Sequence, residues 1–313
     1  RAENFFTALT GGAKALVRVT EEVDSDGTPL VEVGHILDGI TLVSVAVDRE
    51  TGAALRGASE ASLHVEAGLR TGDLTAPFPE EANRVLADKL CRYWFAPTER
   101  SKQNLVAEGL GPEGLFVTGN TVIDALLWTA ERVTADPFPA ATGKKRVLVT
   151  AHRRENFGAP FESVCAALRD IADRGDVQML YPVHPNPNVR DVAHRVLGEH
   201  RAIQLVDPLD YPQMVAAMRA CDLILPDSGG VQEEAPSLGK PVLVLRITTE
   251  RPEGVAAGAA KLVGTDQSTI VRAASELLDN PASYSAMAQV QNPYGDGRAA
   301  HRIAELCGAF LKA

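Results

Sequence analysis

From about Lys144 onward, short apolar runs alternate with longer segments in which apolar residues recur every three or four positions. This alternation is typical of a parallel sheet whose strands are joined by crossover helices. The runs are apolar throughout, as expected of strands that are covered on both faces. The predicted strands are 145–150, 177–183, 203–206, 223–225 and 241–245, and the predicted helices are 161–174, 189–197, 211–221 and 231–238. The pattern therefore predicts a doubly wound α/β domain.

A segment rich in proline and small residues, 135–143, separates this region from the residues before it. Such a composition between two periodic regions marks a linker. We therefore expect a first domain at 1–138 and a second domain at 144–292. In the first domain the pattern again predicts an α/β arrangement, with strands at 62–65 and 94–96 and helices at 80–90, 99–108 and 121–133.

The two ends of the chain differ from the regions they adjoin. An amphipathic helix is predicted at 298–311, after a bridge rich in turn residues, and we expect residues 297–313 to pack back on the first domain. Residues 1–62 contain short apolar runs joined by Asp- and Gly-containing turns, which is closer to an antiparallel β-meander. The predicted strands of this meander are 16–19, 30–33 and 42–47.

Composition and charge narrow the classes of function. The chain has 313 residues, a length that suits two domains, and 31 Lys and Arg against 41 Asp and Glu, a net charge of −10. An acidic protein lacks the broad basic face that captures nucleic acid or an anionic membrane, so neither is an expected partner. No apolar run approaches the ~18 residues that span a bilayer, and the N-terminus has no secretory pattern. The four cysteines form no CxxC pair, so we expect a cytoplasmic protein with reduced, buried thiols.

The first candidate for chemistry is the string Ser228-Gly229-Gly230, where a predicted strand turns into a helix. Backbone N–H groups at such a turn, together with the helix dipole, bind phosphate, and glycine lets a ligand approach the backbone closely. Glu234 follows Gly230 by four residues and so lies on the same helix face, where its carboxylate could accept both hydroxyls of a ribose. The alternative is an ordinary turn with Ser228 as the N-cap.

Three further candidates follow other predicted strands. Arg251 precedes Pro252 at an expected helix start, near the carboxyl end of the sheet where open α/β folds bind ligands. An arginine there suits a diphosphate, and a solvated surface arginine is the alternative. His152 and His184 each lie just beyond a strand, so we expect them to face one crevice, unless they are structural or exposed. No HxH or HExxH spacing supports a metal site.

Two carboxylates in the first half of the chain suggest acid–base chemistry. Glu66 ends a predicted strand, and Glu80 begins a predicted helix after Pro79. We therefore expect the two carboxylates at one wall of a cleft. Such pairs divide acid and base roles when their environments separate their pKa values. The alternative is that both are solvated loop charges.

Taken together, these strings resemble one family. From His64 onward the chain contains HVEAGLRTGD, PEEANR, GNTVIDAL, HRREN, HPNPNV, DSGGVQEEAPSLGKPVL, TTERPE and NPYGDG. In this it is similar to the non-hydrolysing UDP-N-acetylglucosamine 2-epimerases of bacteria. The resemblance implies two Rossmann-like domains that face each other across a cleft, similar to the glycosyltransferase-B fold. It also implies a cytoplasmic homodimer that serves the biosynthesis of cell-envelope polysaccharides.

The resemblance implies an isomerase that interconverts UDP-GlcNAc and UDP-ManNAc without a nicotinamide cofactor or a metal. The C2 proton is removed with anti elimination of UDP, which leaves bound 2-acetamidoglucal, and UDP then adds back with the opposite configuration at C2. The residues implied as catalytic are Glu66, Glu80 and His184. The residues implied in binding the substrate or UDP are Arg70, His152, His184, Ser228, Gly229, Gly230, Glu234 and Arg251.

Residues 1–62 depart from the family pattern. Family members begin with a strand and a loop similar to FGTRPE, and later have an HGDT-like strand end with a third catalytic carboxylate and a QHRE-like regulatory element. None of these strings precedes His64. Ile247 also stands where an acidic or polar residue is common, and 209–214 matches loosely. Two alternatives to the epimerase stay open: a UDP-sugar-dependent glycosyltransferase of the same fold, and a catalytically incomplete UDP-sugar-binding protein. The paired strings around Glu66 and Glu80 favour the epimerase.

Overall fold

The computed structural model of the chain describes residues 15–17, 63–74, 80–138 and 143–310. The strands predicted at 30–33 and 42–47 lie outside the described residues. The contacts of the chain divide it into two compact units, one formed by 1–125 with 294–313 and the other by 126–293. Each unit is built around one sheet.

The first unit contains a four-stranded sheet in which strands adjacent in sequence are also adjacent in space. The strands are β1 (Ala15–Val17), β2 (Leu63–Val65), β3 (Tyr93–Ala96) and β4 (Leu115–Val117). β1 pairs with β2 in the antiparallel sense, and the other two pairings are parallel. The helices of this half of the chain are α1 (Glu80–Leu90), α2 (Glu99–Ala107) and α3 (Thr121–Arg132), within which the two units divide.

The second unit contains a six-stranded sheet in which every pairing is parallel. Its strands are β5 (Lys145–Thr150), β6 (Val177–Pro182), β7 (Ile203–Val206), β8 (Leu223–Pro226), β9 (Val242–Val244) and β10 (Ala260–Leu262). Its helices are α4 (Ala159–Asp173), α5 (Pro187–Leu197), α6 (Tyr211–Ala220), α7 (Gly229–Glu234), α8 (Pro252–Ala257), α9 (Gln267–Asp279) and α10 (Pro281–Ala288). The spatial order of the strands is β10-β9-β8-β5-β6-β7.

Apolar cores cover both faces of this second sheet. Val147 and Val149 of β5 belong to one core, which includes Phe161 of α4. Leu148, the residue between them, belongs to another core, which includes Met218 of α6. Alternate residues of a strand point to opposite faces, so helices pack on both sides of the sheet. The predicted α/β class with a parallel sheet is confirmed.

The elements that the sequence pattern did not predict are short or lie late in the chain. They are β4, β10, α9 and α10. The helix predicted at 231–238 begins two residues earlier, as α7, and continues as a 3-10 turn at Ala235–Leu238. Pro236 stands in that turn, where its missing N–H is compatible with the first residues of a new helical segment.

The last helix, α11 (Ala299–Phe310), belongs to the first unit. The Asp124 carboxylate accepts hydrogen bonds from the N–H groups of Ala299 and Ala300, at 3.0 and 2.9 Å, and so caps the start of α11. Ile303 and Cys307 of this helix pack in one core with β2 and β3. Within the described ranges, no helix has the length and apolar character needed to cross a membrane.

Candidate functional site

The carboxyl ends of β5 and β8 meet at the centre of the second unit's sheet. The chain runs outward from β5 through β6 to β7 on one side, and from β8 through β9 to β10 on the other. The order of the strands therefore reverses between β5 and β8, and open α/β sheets bind ligands at such a point. The segments that follow these strands contain His152 and the Ser228 turn.

The two histidines predicted to share a crevice lie against each other. His152 follows β5 and His184 follows β6, and their rings are stacked with centroids 5.4 Å apart and an angle of 11° between the planes. The N–H of Asn186 donates to Nδ1 of His184 at 3.1 Å. A neutral His184 must then carry its proton on Nε2, which makes that nitrogen a donor.

Asp227, which the sequence analysis did not single out, holds the His152 segment in place. Its side chain is fully buried. Oδ2 accepts the N–H groups of His152 and Arg153, both at 2.6 Å, and Oδ1 lies 3.5 Å from Nδ1 of His152. Its position between a strand and the Ser228 turn could have marked Asp227 as a candidate. Its hydrogen-bond partners were not evident from the sequence, because they lie about 75 residues away.

The charges around His152 act in opposite directions. Burial lowers the pKa of His152, and the positive charges of His184 and Arg153 lower it further, whereas the carboxylate of Asp227 raises it. Burial raises the pKa of Asp227, and His152 and Arg153 oppose that shift. Burial disfavours the charged form of both groups. The attraction between the Asp227 carboxylate and the His152 imidazolium opposes that effect on each of them.

The Ser228 turn begins α7 directly. Ser228 has the backbone geometry of an N-cap, but its side chain makes no capping hydrogen bond, and its buried hydroxyl has no hydrogen-bond partner among the described residues. The alternative of an ordinary capping serine is therefore not supported at the side chain. A Cβ atom on Gly229 would lie 2.9 Å from Oε1 of Glu250 and 3.7 Å from the guanidinium of Arg251. Because Gly229 has no Cβ, the side chains of Glu250 and Arg251 can lie this close to the turn.

Arg251 lies in a buried cluster of charges rather than in solvent. Its side chain is 7% exposed and is paired with Glu233 on α7. The neighbouring Glu250 pairs with Arg153 at 3.2 Å and with Arg246 at 2.6 Å. Burial opposes ionisation of Glu250, but Arg251, Arg246 and Arg153 outweigh it, and the pKa of Glu250 is lowered to about 2. The solvated surface arginine is thereby excluded for Arg251.

Glu234 lies at the end of α7 and is buried. Its Oε1 accepts a hydrogen bond of 2.8 Å from the Tyr211 hydroxyl at the start of α6. Burial raises the pKa of Glu234 to about 7, although the bond from Tyr211 opposes the shift and the charge of Glu233 supports it. Oε2 lies 3.9 Å from the position of a Cβ on Gly230, on the face that the sequence predicted.

In the first unit, the structure describes Glu66 fully and Glu80 only by its backbone. Glu66 follows β2 with a φ of 62°, and it is half-buried. Glu80 is the first residue of α1, but its side chain lies outside the described part of the chain. Whether the two carboxylates meet at one wall therefore stays a prediction.

Arg70 makes its hydrogen bonds within the first unit. Nε and Nη2 donate to Glu108 at 2.6 and 2.9 Å, Nη2 donates to Asp88 at 2.6 Å, and Nη1 donates to the carbonyl of Leu69 at 3.0 Å. Asp88 and Glu108 were missed by the sequence analysis, because no local pattern links them to the loop after β2. A role of Arg70 in UDP binding stays a prediction.

In the described part of the chain, no group of three or more His, Cys, Asp or Glu side chains has the geometry to hold a metal ion. The four cysteines are buried, unpaired thiols, and burial raises the pKa of Cys91 and Cys165 to about 12. Such thiols are inert at neutral pH.

The fold and the site define a nucleotide-binding α/β protein of the Rossmann type, with a glycine turn and a buried arginine at the switch point of a parallel sheet. The chain belongs to the UDP-N-acetylglucosamine 2-epimerase family, whose family model matches residues 48–308. The resemblance drawn from the motifs is thereby confirmed, and the match begins earlier than His64.

The relatives include proteins of known name and solved structure. A UDP-N-acetylglucosamine 2-epimerase of Escherichia coli (strain K12) is 54% identical over 254 aligned positions, and the match covers 77% of this chain and 67% of that protein. The crystal structure of a UDP-GlcNAc 2-epimerase from Neisseria meningitidis bound to UDP-GlcNAc is 42% identical, with a TM-score of 0.75 over 84% of this chain and 72% of that one. The Methanocaldococcus jannaschii enzyme, in complex with UDP-GlcNAc and UDP, is 32% identical, with a TM-score of 0.66 over 82% of this chain and 71% of that one.

Proposed function

We propose that this chain interconverts UDP-GlcNAc and UDP-ManNAc as a non-hydrolysing 2-epimerase. The observation that carries the proposal is the buried Arg251 beside the Gly229 turn, in a chain 54% identical to a UDP-N-acetylglucosamine 2-epimerase. A buried arginine and a glycine turn together suit a diphosphate.

The second unit supplies the residues for the nucleotide. The N–H groups at Ser228, Gly229 and Gly230 and the guanidinium of Arg251 bind the diphosphate in this proposal. Glu234 accepts the ribose hydroxyls, which requires its ionised form, since a carboxylate offers acceptors only. His184, with a donor at Nε2 when neutral, hydrogen-bonds to the nucleotide sugar, and the stacked His152 lines the same crevice.

Glu66 and Glu80 carry the proton transfers in this proposal. One carboxylate takes the proton from C2, and the electron pair of the C–H bond forms the C1–C2 double bond as the C1–O bond breaks and UDP leaves with its electron pair. The bound 2-acetamidoglucal then receives a proton at C2 from the other face, and UDP re-forms the bond to C1. Arg251 stabilises the charge that develops on the leaving diphosphate.

The finer expectations belong to the same proposal. The working protein is a cytoplasmic homodimer with domains at 1–138 and 144–292, and its product supplies cell-envelope polysaccharides. The reaction itself needs no nicotinamide, because elimination and re-addition return the substrate's electrons to the same bond, and no step of the proposal is assigned to a metal.

Proton NMR of the purified protein with UDP-GlcNAc in D₂O tests the proposal. We expect exchange of the C2 proton together with the appearance of UDP-ManNAc. Glu66→Gln is the matched variant: turnover should fall by ~10²-fold or more while UDP still binds. Saturable UDP binding without exchange would identify a UDP-sugar-binding protein instead. Sugar transfer to an added acceptor, without exchange, would identify a glycosyltransferase.

A further inference from the structure

The backbone at Glu66 is strained. Among the described residues, Glu66 is the only non-glycine residue with a positive φ, 62°. A side chain in this left-handed region is unfavourable, and such a conformation persists only where the surroundings hold it. The residue that the proposed function assigns to proton transfer is therefore in a position that other contacts must maintain.

Two contacts hold the backbone just after Glu66. The N–H of Ala67 donates to the carbonyl of Phe95 at 3.1 Å. The carbonyl of Gly68 accepts from Nδ2 of Asn104 at 2.9 Å. Gly68 has a φ of 82°, and a Cβ there would lie 2.1 Å from the backbone oxygen of Ser101. The loop thus packs against α2 at a distance that leaves no room for a Cβ at this position.

One carboxylate binds the chain on both sides of Glu66. Asp88 of α1 is fully buried, with Oδ1 bonded to Nδ1 of His64 and Oδ2 accepting from Nη2 of Arg70 at 2.6 Å. Burial opposes ionisation of Asp88, but His64 and Arg70 outweigh it, so the pKa of Asp88 lies below its usual value. The carbonyl of Asp88 accepts from Nε1 of Trp94 at 2.8 Å, which ties this part of α1 to β3.

A second residue of α1 binds the far end of the same loop. Oε1 of Glu81 accepts from the N–H groups of Thr71 and Gly72, at 2.9 and 3.0 Å. Glu81 and Asp88 are seven residues apart and so lie on one face of the helix. The first residue of α1 is Glu80, the other residue assigned to proton transfer. The loop of Glu66 and the helix of Glu80 are thereby fastened together at two points.

We propose that Asp88, His64 and Arg70 form a positioning cluster that fixes the loop 66–72 on α1 and so sets Glu66 relative to the start of the Glu80 helix. The inference rests on the proposed function, because the cluster affects catalysis only through the proton-transfer role of Glu66. It also gives Arg70 a different role from the one implied by the resemblance: Arg70 acts through Asp88 and does not bind UDP.

The test uses Asp88→Asn and the milder Arg70→Lys, with Arg195→Lys as the control. The Arg195–Glu162 pair has the same 2.6 Å separation but is exposed on both sides. We expect both cluster variants to lower kcat by ~10- to 100-fold, the scale of a misplaced catalytic group, with the Kd for UDP changed less than about twofold. The control should retain the wild-type kcat. Unchanged kcat in the cluster variants, or an Arg70→Lys variant that loses UDP affinity at constant kcat, would overturn the proposal.

A double-variant cycle separates positioning from general destabilisation. If Asp88 acts through Glu66, then Asp88→Asn should lower kcat much less in a Glu66→Gln background than in the wild type. Equal losses in both backgrounds would overturn the proposal, because a merely structural defect acts regardless of Glu66.

Amide hydrogen exchange of Thr71 and Gly72 gives a readout that needs no activity. Both N–H groups should exchange faster in Asp88→Asn than in the wild type, since the substitution weakens the attachment of the loop through Asp88 and leaves the attachment through Glu81. Unchanged protection would overturn the cluster's hold on the loop. A wild-type protein that shows no C2 exchange would refute the proposed function alone, and the amide measurement would still decide whether the cluster holds the loop.

Discussion

The imidazole rings of His152 and His184 are stacked 5.4 Å apart, although the residues follow different strands. Two positive charges at that distance repel each other strongly, particularly where burial weakens solvation. Burial lowers the pKa of His152, and the charge of His184 lowers it further. The buried carboxylate of Asp227, whose Oδ1 lies 3.5 Å from Nδ1 of His152, raises that pKa instead.

Replacing Asp227 or His184 should move the pKa of His152 in opposite directions. The Asp227 carboxylate raises that pKa, so Asp227→Asn is expected to lower it. The charge of His184 lowers it, so His184→Asn is expected to raise it. Imidazole proton shifts followed by NMR across pH 4–8 measure both changes. Shifts of the same sign in the two variants would contradict the assigned geometry.

The affinity for UDP-GlcNAc should depend on the ionisation of Glu234. The pKa of this carboxyl is raised to about 7 in the free protein, and both of its oxygens can accept ribose hydroxyls only in the ionised form, since the protonated form uses one oxygen as a donor. The affinity should therefore rise as the pH increases toward 7 and level off above it. Calorimetry with UDP-GlcNAc is the suitable measurement, because this ligand lacks the terminal phosphate that titrates near pH 6. Glu234→Gln should bind more weakly at pH 8 and lose this pH dependence.

The same raised pKa has a consequence for stability. The folded protein holds a proton on Glu234 up to about pH 7, whereas the unfolded chain releases it near 4.5. The stabilising contribution of that proton is fully present below pH 4.5 and is lost as the pH rises to 7. Urea unfolding of the wild type and of Glu234→Gln should therefore differ in pH dependence across this interval. Parallel curves would show that Glu234 titrates normally.

Arg251→Ala should weaken UDP binding by about 1.5–3 kcal/mol, the scale of a charged hydrogen bond. The substitution also leaves Glu233 buried without this partner, which is destabilising by itself. The double variant Arg251→Gln with Glu233→Gln removes both charges and should recover stability without recovering affinity. Arg174→Ala, at an exposed ion pair, is the control. Wild-type affinity in the double variant would rule out Arg251 as a diphosphate ligand.

Alanine substitutions at two glycines of nearly equal φ distinguish the cost of backbone strain from the cost of steric overlap. Gly68 and Gly72 have φ values of 82° and 80°. A Cβ on Gly72 would meet nothing within 4 Å, whereas one on Gly68 would lie 2.1 Å from the oxygen of Ser101. Gly72→Ala should cost about 1–2 kcal/mol for the left-handed backbone. Gly68→Ala should cost a further 1–3 kcal/mol or so for overpacking, measured by chemical denaturation. Equal losses would mean that the loop moves away from α2 easily.

Local pattern was sufficient for most of the secondary structure. The helix at Glu80–Leu90 and the strand at Lys145–Thr150 were predicted to the residue, because amphipathic and apolar periodicities depend only on near neighbours in the chain. Of the elements that escaped, β4 and β10 are three-residue strands without a clear period, whereas α9 is a 13-residue helix whose buried residues do recur at helical spacing and which the sequence analysis overlooked. The family was also evident from the motifs, since each of them is a continuous string in the sequence.

The partners of the buried charges followed only from the tertiary structure. Sequence placed His152 and Ser228 at strand ends, but it did not indicate that Asp227 binds the backbone of His152, about 75 residues away. Nor did it indicate that Asp88 binds both His64 and Arg70. These contacts depend on the order of strands in the sheets and on the packing of helices against them. A residue's local sequence sets which element it joins, whereas burial beside a distant residue sets its charge, its hydrogen bonds and its role.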